Sequence, residues 1–299
     1  MDATRKTVIV TDSSCDLSDE QLSRYGIRMI SLRIVCQNAE YRDRIDIQED
    51  ELYELLTREL PKTSLPLPED VTSLYESLAQ EGVTDVIHMS ISSGLSGPFN
   101  MVRMITQDFE GRMRVHMVDS RTLSMGLGMM VLAAARALEE GATPEEAIER
   151  AQTVRRNQLG MFVIRTLEFL RKGGRIGKVT GRAANMLGLK PMILFKDGEI
   201  FSGGVARGRQ KSFEKALEQL MNYLDAHGGT PDDYRITVGY GYDADEGKRL
   251  WMQTRAALRA KYPGAQCEVG LLQIGCTIAV HTGPYALGMG VMRRWKKQN

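Results

Sequence analysis

The 299-residue sequence predicts an α/β fold in two parts. An N-terminal doubly wound α/β/α domain with a mostly parallel sheet is expected over residues 1–160. A C-terminal α/β domain with a mixed sheet is expected over residues 161–299. Three observations lead there. The length suits two domains. Through residue 158, strand-like runs alternate with helix-like stretches, the order of a parallel sheet covered on both faces. Beyond that, a hairpin signal and clustered strand-like runs replace the alternation. The boundary falls near residues 155–165, and no internal repeat is evident.

The elements follow in order. "KTVIVTDSS" (6–14) reads as an apolar strand ending in a polar turn. "SDEQLSRYG" (18–26) reads as a helix, with Ser18 as N-cap, Gln21 completing a capping box and Gly26 stopping it. "IRMISLRIVC" (27–36) reads as one strand. "IQEDELYELLTREL" (47–60) reads as a helix with Leu52, Leu55, Leu56 and Leu60 near one face. "PKTSLPLPED" (61–70) reads as a loop because of its prolines, and Glu69 and Asp70 suit the first turn of the next helix. "TDVIHMS" (84–90) and "RMRVHMVDS" (112–120) are strands, and "MVLAAARALEEG" (130–141) and "TPEEAIERAQTVRRNQ" (143–158) are helices. In the second half, "MILFKDGEIF" (192–201) is a hairpin turning at Asp197-Gly198. "KSFEKALEQLMNYLDAHGG" (211–229) is amphipathic, with a stripe of Phe213, Ala216, Leu217, Leu220, Met221 and Leu224. "YRITVGYG", "QCEVGLLQ" and "GCTIAVHTG" read as three further strands.

Composition excludes several classes. A net charge of +1 offers no broad field for nucleic acid or an anionic membrane. The longest apolar run, "MGLGMMVLAAA", is too short to span a bilayer, so at most transient membrane contact is expected. The N-terminus lacks the apolar region of a signal peptide. The four cysteines show no metal-ligand spacing and read as reduced thiols of a cytoplasmic protein. No metal or cofactor is expected. The 17 methionines suit either ordinary core filling or an adaptable apolar cavity.

Open α/β sheets bind ligands beyond the carboxyl ends of their strands. There lie "TDSS", "SISSGLSG" and "VDSRTLSMGLG", all rich in hydroxyls, Asp or Gly. Familiar catalytic signatures fail nearby. "GLSGP" lacks the last glycine of a G-x-S-x-G elbow, with Pro98 in its place. "KGGRIGKVT" lacks the first glycine and the Ser/Thr of a phosphate loop. "GLGMMV" and "GYGYDA" are incomplete dinucleotide fingerprints.

Seven segments taken together resemble the DegV family of bacterial fatty-acid-binding proteins. They are "TDSSCDL" (11–17), "KTSLP" (62–66), "SSGLSG" (92–97), "VDSRTLSMGLG" (118–128), "LRKGGRIGKVTGRAANMLGLKP" (170–191), "ARGRQKS" (206–212) and "HTGPYALG" (281–288). The resemblance implies two α/β domains with a long-chain fatty acid between them. It implies that Thr63 and Ser96 hold the carboxylate, with Gly97, Arg207 and His281 near the head group. It also implies a partner, an ATP-dependent fatty acid kinase, whose acyl phosphate product enters phospholipid synthesis. The chain itself would be a carrier rather than an enzyme. It departs from the family pattern at Leu65, where Gln is frequent, and at Pro98-Phe99, where Thr-Tyr is frequent.

Each residue also has a plainer reading. Ser96 alone reads first as a helix cap, Thr63 as a turn residue, and His281 as a structural histidine. Arg207, with Arg209 and Lys211, reads as a solvated basic face or a docking surface. The "RKGGRIGKVTGR" run reads as structural, and Asp12 and Asp119 as capping residues. Two alternative functions stand beside the carrier: a serine-dependent esterase or acyltransferase using Ser96, and a small-anion sensor using the residues around Arg207.

Overall fold

The structure, a computed structural model, describes residues 5–179 and 189–295. Residues 180–188 of the glycine-rich run lie outside the described residues. The chain opens with β1 (Thr7–Asp12), a 3-10 turn at Ser13–Cys15, α1 (Asp19–Arg24) and β2 (Arg28–Ile30). The Ser18–Gln21 capping box forms as its residue types dictate, and Gly26 takes a positive φ of 60° after the helix. Next come β3 (Arg33–Val35), β4 (Glu40–Arg42), α2 (Glu49–Leu55), β5 (Lys62–Ser64), α3 (Pro68–Gln80), β6 (Asp85–Ser90) and α4 (Pro98–Ile105). Then β7 (Arg114–Asp119), α5 (Met125–Glu139) and α6 (Pro144–Arg156) complete the first half.

Strands β2-β1-β6-β7 form a wholly parallel sheet in that order. One face packs Ile9, Ile87 and Met89 against α1, α5 and α6; the other packs Val10 and Val86 against α3 and α4. Alternate residues of each strand point to opposite faces, so both faces must be apolar.

The second half holds β8 (Gln158–Val163), α7 (Glu168–Lys172), β9 (Leu189–Lys196), β10 (Glu199–Arg207), α8 (Arg209–His227), β11 (Tyr234–Tyr240), α9 (Ala244–Lys261), β12 (Val269–Gln273), α10 (Cys276–Thr282) and β13 (Leu287–Arg293). Its mixed sheet runs β10-β9-β8-β13-β11-β12, and its strands all begin at or after Gln158. The β9–β10 hairpin turns at Asp197-Gly198, whose φ values of 51° and 87° are those of a two-residue primed turn. The period-2 rule divides the sheet. Met161, Val163 and Met192 pack under α8 and α9, while Phe162, Ile193 and Ile200 face Ile91 and Leu123 of the first half.

Three expectations need correction. The stretch 27–36 is two strands in two sheets. Leu32 N–H donates to Ser13 Oγ at 3.1 Å, and Ser31 Oγ donates to the Asp43 carbonyl at 2.7 Å, which breaks the run between β2 and β3. The proline-rich loop contains strand β5, which pairs with β3 in a small antiparallel sheet β4-β3-β5. "GCTIAVHTG" is helix α10, not a strand. Its Cys276, Ala279 and Val280 pack with Ile34, Leu52 and Tyr53 of β3 and α2, and Gly283 ends it at φ 79°. Burial on nearly every side gives a short helix the apolar run of a buried strand.

Candidate functional site

The polar turns at the strand ends fasten one another. Asp12 accepts from Ser14 N–H at 3.1 Å and from Ile91 N–H at 2.8 Å, so it caps the 3-10 turn and ties β1 to the loop after β6. Asp119 accepts from Ser93 N–H at 3.1 Å, from Ser93 Oγ at 2.6 Å and from Arg121 N–H at 3.1 Å. These bonds fix the start of the "SSGLSG" loop. Its Ser92 hydroxyl donates to the Gly198 carbonyl at 2.8 Å, docking the β9–β10 turn of the second half. Gly94 permits that approach, because a Cβ there would stand 2.8 Å from the Gly198 oxygen.

Behind this junction lies a narrow pocket of about 40 Å³. The first half contributes Thr63, Ile91, Leu95, Ser96 and Leu123. The second contributes, among others, Arg175, Ile193, Phe195, Thr277 and His281. Its polar lining is Thr63, Ser96, Arg175, Thr277, His281 and Thr282, and the remaining lining is aliphatic and aromatic. A second small cavity of about 20 Å³ shares Leu123 and Phe195 as its wall and reaches Met125. There a Cβ on Gly290 would overlap Met125 Sδ, and Gly239 and Gly288 also lie against that side chain.

Thr63 sits on β5, paired with Ile34, and its Oγ1 lies 2.8 Å from His281 Nε2 in the last turn of α10. Desolvation first, then the Arg175 charge, push the His281 imidazolium down to about 4, so the ring is neutral at pH 7. Its Nδ1 is buried without a partner among the described residues, facing the backbone of Gly173. Ser96 is half-buried at the pocket wall. The cap of α4 is Gly97 without a side-chain bond, so the capping role read for Ser96 is not the one the hydroxyl plays. Among the described residues, neither an imidazole nor a carboxylate bonds the Ser96 hydroxyl, which lines the pocket.

The other sequence candidates separate. Gly97 borders the site, and a Cβ on it would meet Leu65 Cδ2 at 3.2 Å. Arg207 is exposed at the end of β10 and does not line the pocket. Among the described residues the cation lining the pocket is Arg175, missed because its glycine-rich run read as structural. Arg175 Nε donates to the Leu95 carbonyl at 3.3 Å and Nη1 to Gly173 at 2.6 Å. Thr277 also lines the pocket and donates to the buried Asp43 at 2.6 Å. Burial raises the Asp43 pKa above its ordinary range. Among the described residues no group of His, Cys, Asp and Glu could hold a metal ion, and no helix is long and apolar enough to cross a membrane.

Known proteins share this architecture. A solved stearic-acid-binding protein of Eubacterium ventriosum superposes with a TM-score of 0.86 at 32% identity, covering 95% of this chain and 97% of that one. A DegV family protein of Thermus thermophilus, described as binding fatty acid, superposes with a TM-score of 0.85 at 32% identity, covering 97% and 100%. A DegV domain-containing protein of Clostridium perfringens is 32% identical over 290 residues, 97% of this chain and 99% of its own. The family model described as uncharacterised protein, DegV family, matches residues 6–294, and the chain belongs to the DegV family.

Proposed function

We propose that this chain binds a long-chain fatty acid between its two halves, residues 1–160 and 161–299 acting as separate domains. Thr63 and Ser96 hold the carboxylate and present it to a separate ATP-dependent fatty acid kinase in the cytoplasm. The kinase transfers the terminal phosphoryl group of ATP to a carboxylate oxygen, leaving ADP and an acyl phosphate for phospholipid synthesis. The observation that carries the binding reading is that the Thr63 and Ser96 hydroxyls line one largely apolar pocket together with Arg175 and His281. The fatty-acid-binding relatives support the same ligand class.

A carboxylate entering an apolar crevice needs hydrogen bonds, because burying it bare is very costly. A neutral His281 protonated on Nε2 donates to Thr63 Oγ1 and turns the Thr63 proton toward the ligand. The opposite tautomer would bury an Nδ1–H with no acceptor, the costlier orphan. Arg175 uses two of its five N–H groups on carbonyls and keeps others for the anion. The tail supplies most of the affinity. At about 0.8 kcal/mol per methylene, a sixteen-carbon chain gains on the order of 10 kcal/mol gross.

The pocket's volume of about 40 Å³ is far below the ~300 Å³ at the low end of ligand sites. Uptake therefore parts the walls at Phe195 and Leu123, joining the two cavities and leading the tail toward Met125. Mass spectrometry of an organic extract of the purified protein tests the reading. A near-stoichiometric long-chain fatty acid is expected. An empty extract, with no uptake of added fatty acid, would overturn it.

A further inference from the structure

A second and larger opening lies between the halves, lined by α1 and α5 on one side and by β11, β12 and α9 on the other. Its volume is about 1040 Å³. Six arginines line it: Arg24, Arg136, Arg235, Arg255, Arg259 and Arg294. Asp16, Glu20 and Glu268 are the acids that share it. Several arginines elsewhere in this nearly neutral chain stand close against carboxylates, though others among the described residues, such as Arg103 and Arg207, do not. Arg112 meets Glu76 at 2.7 Å, Arg150 meets Glu140 at 2.6 Å, and Arg209 meets Glu246 at 2.6 Å. Among the described residues, none of the six in the cleft has a carboxylate within 4.0 Å.

What they bond instead carries no charge. Arg235 Nη1 contacts Met129 Sδ at 3.6 Å, Arg136 Nε donates to Tyr25 Oη at 3.4 Å, and Arg294 Nε donates to the Tyr234 carbonyl at 3.0 Å. Arg255 lies over the Trp251 ring at 4.4 Å. Burial, then the nearby charges of Arg136 and Arg294, lower the Arg235 pKa from its ordinary value. Three guanidiniums thus converge in a partly desolvated place, and the protein supplies little to offset their repulsion.

We propose that this cleft binds a soluble di- or triphosphate compound, held across the two halves by Arg136, Arg235 and Arg294. Guanidinium forks match phosphate oxygens two at a time, and a multiply charged anion relieves several like charges together. Arg136 and Arg235 are only partly exposed within the cleft walls, a setting that suits a small entering anion better than a flat bilayer. The site is distinct from the Thr63 pocket and does not depend on the fatty-acid reading.

Calorimetric titration of the full chain with inorganic pyrophosphate and with ATP, at about 50 and 150 mM salt, tests this. Saturable binding that weakens with salt is expected. Arg136→Gln with Arg235→Gln should lower affinity by about ten-fold or more while fatty-acid uptake persists. Arg294→Gln changes an exposed side chain, so folding is not at issue; about a three-fold loss is expected. No saturation by either anion, or wild-type affinity in both variants, would overturn the proposal. So would binding confined to phosphatidylglycerol vesicles, with none to pyrophosphate.

Discussion

Thr63 Oγ1 and His281 Nε2 stand 2.8 Å apart across 218 residues of sequence. The bond joins a three-residue edge strand to the end of a seven-residue helix. Neither element is long enough to be stable alone. This contact in the pocket lining therefore exists only when both halves are folded and docked.

Replacing the two hydroxyls tests their role. Thr63→Val with Ser96→Ala should weaken fatty-acid affinity by about a hundred-fold or more, since each of the two lost bonds to a charged group is worth roughly 1.5–3 kcal/mol. Ser96→Ala should leave thermal unfolding almost unchanged, whereas Thr63→Val also takes the partner from the part-buried His281 Nε2 and should lower stability by about 1–3 kcal/mol. Displacement of a fluorescent fatty acid measures the affinity, and an unchanged value would remove the head-group assignment.

The wall between the cavities should set chain length. Phe195 lies edge-on to Phe162 with ring centroids 5.4 Å apart and separates the two spaces. Phe195→Leu should shift preference toward longer chains. Each methylene newly accommodated is worth about 0.8 kcal/mol, roughly four-fold in affinity. A series of saturated acids of increasing length reads this directly, and a parallel loss at all lengths would contradict it.

The docking of the hairpin turn should be sterically tight. Gly94→Ala places a Cβ 2.8 Å from the Gly198 carbonyl oxygen, a backbone atom with little room to retreat. A loss of about 1–3 kcal/mol is expected from such overpacking, with weaker acyl binding as the Ser92–Gly198 bond loosens. Urea unfolding and the same displacement assay report both effects. Wild-type behaviour in both would show that the turn docks more loosely.

Acid should expose the cost of keeping His88 neutral. It is fully buried between Tyr75 Oη at 2.9 Å and Ser90 Oγ at 2.7 Å, and desolvation holds its pKa down to about 3. Between pH 6.5 and about 3 the unfolded chain binds the proton and the folded chain does not. Stability therefore falls with falling pH in that window, by at most about 1.4 kcal/mol per pH unit. Asp12 acts oppositely. Burial raises its pKa to about 6, so it favours the folded state as pH drops from there toward 3.8. His88→Gln isolates the histidine. It should be destabilising at pH 8, and its deficit against wild type should shrink toward pH 4. A deficit independent of pH would mean that His88 is not held neutral.

Local chemistry determined much of this protein. The Ser18 capping box, the Thr143 cap of α6, the Asp197-Gly198 turn and the stripe of α8 depend on residues within a few positions of one another, and sequence spacing displays them. The alternation of strands and helices set the parallel sheet in the same way. The seven segments pointed to the family, because each places unusual residue types in a fixed order.

Tertiary structure decided the rest. The break between β2 and β3 comes from Ser13 and Asp43, and strand β5 comes from its partner β3. Helix α10 is helical because its apolar side chains are covered by β3 and α2, a fact its apolar composition cannot reveal. Arg175 rather than Arg207 reaches the pocket because α7 and the turn after it carry Arg175 to Leu95, and the sequence shows two similar basic runs. The arginine cleft has no sequence signature at all. Its charges are scattered from residue 24 to residue 294, and only the docking of the two halves brings them face to face.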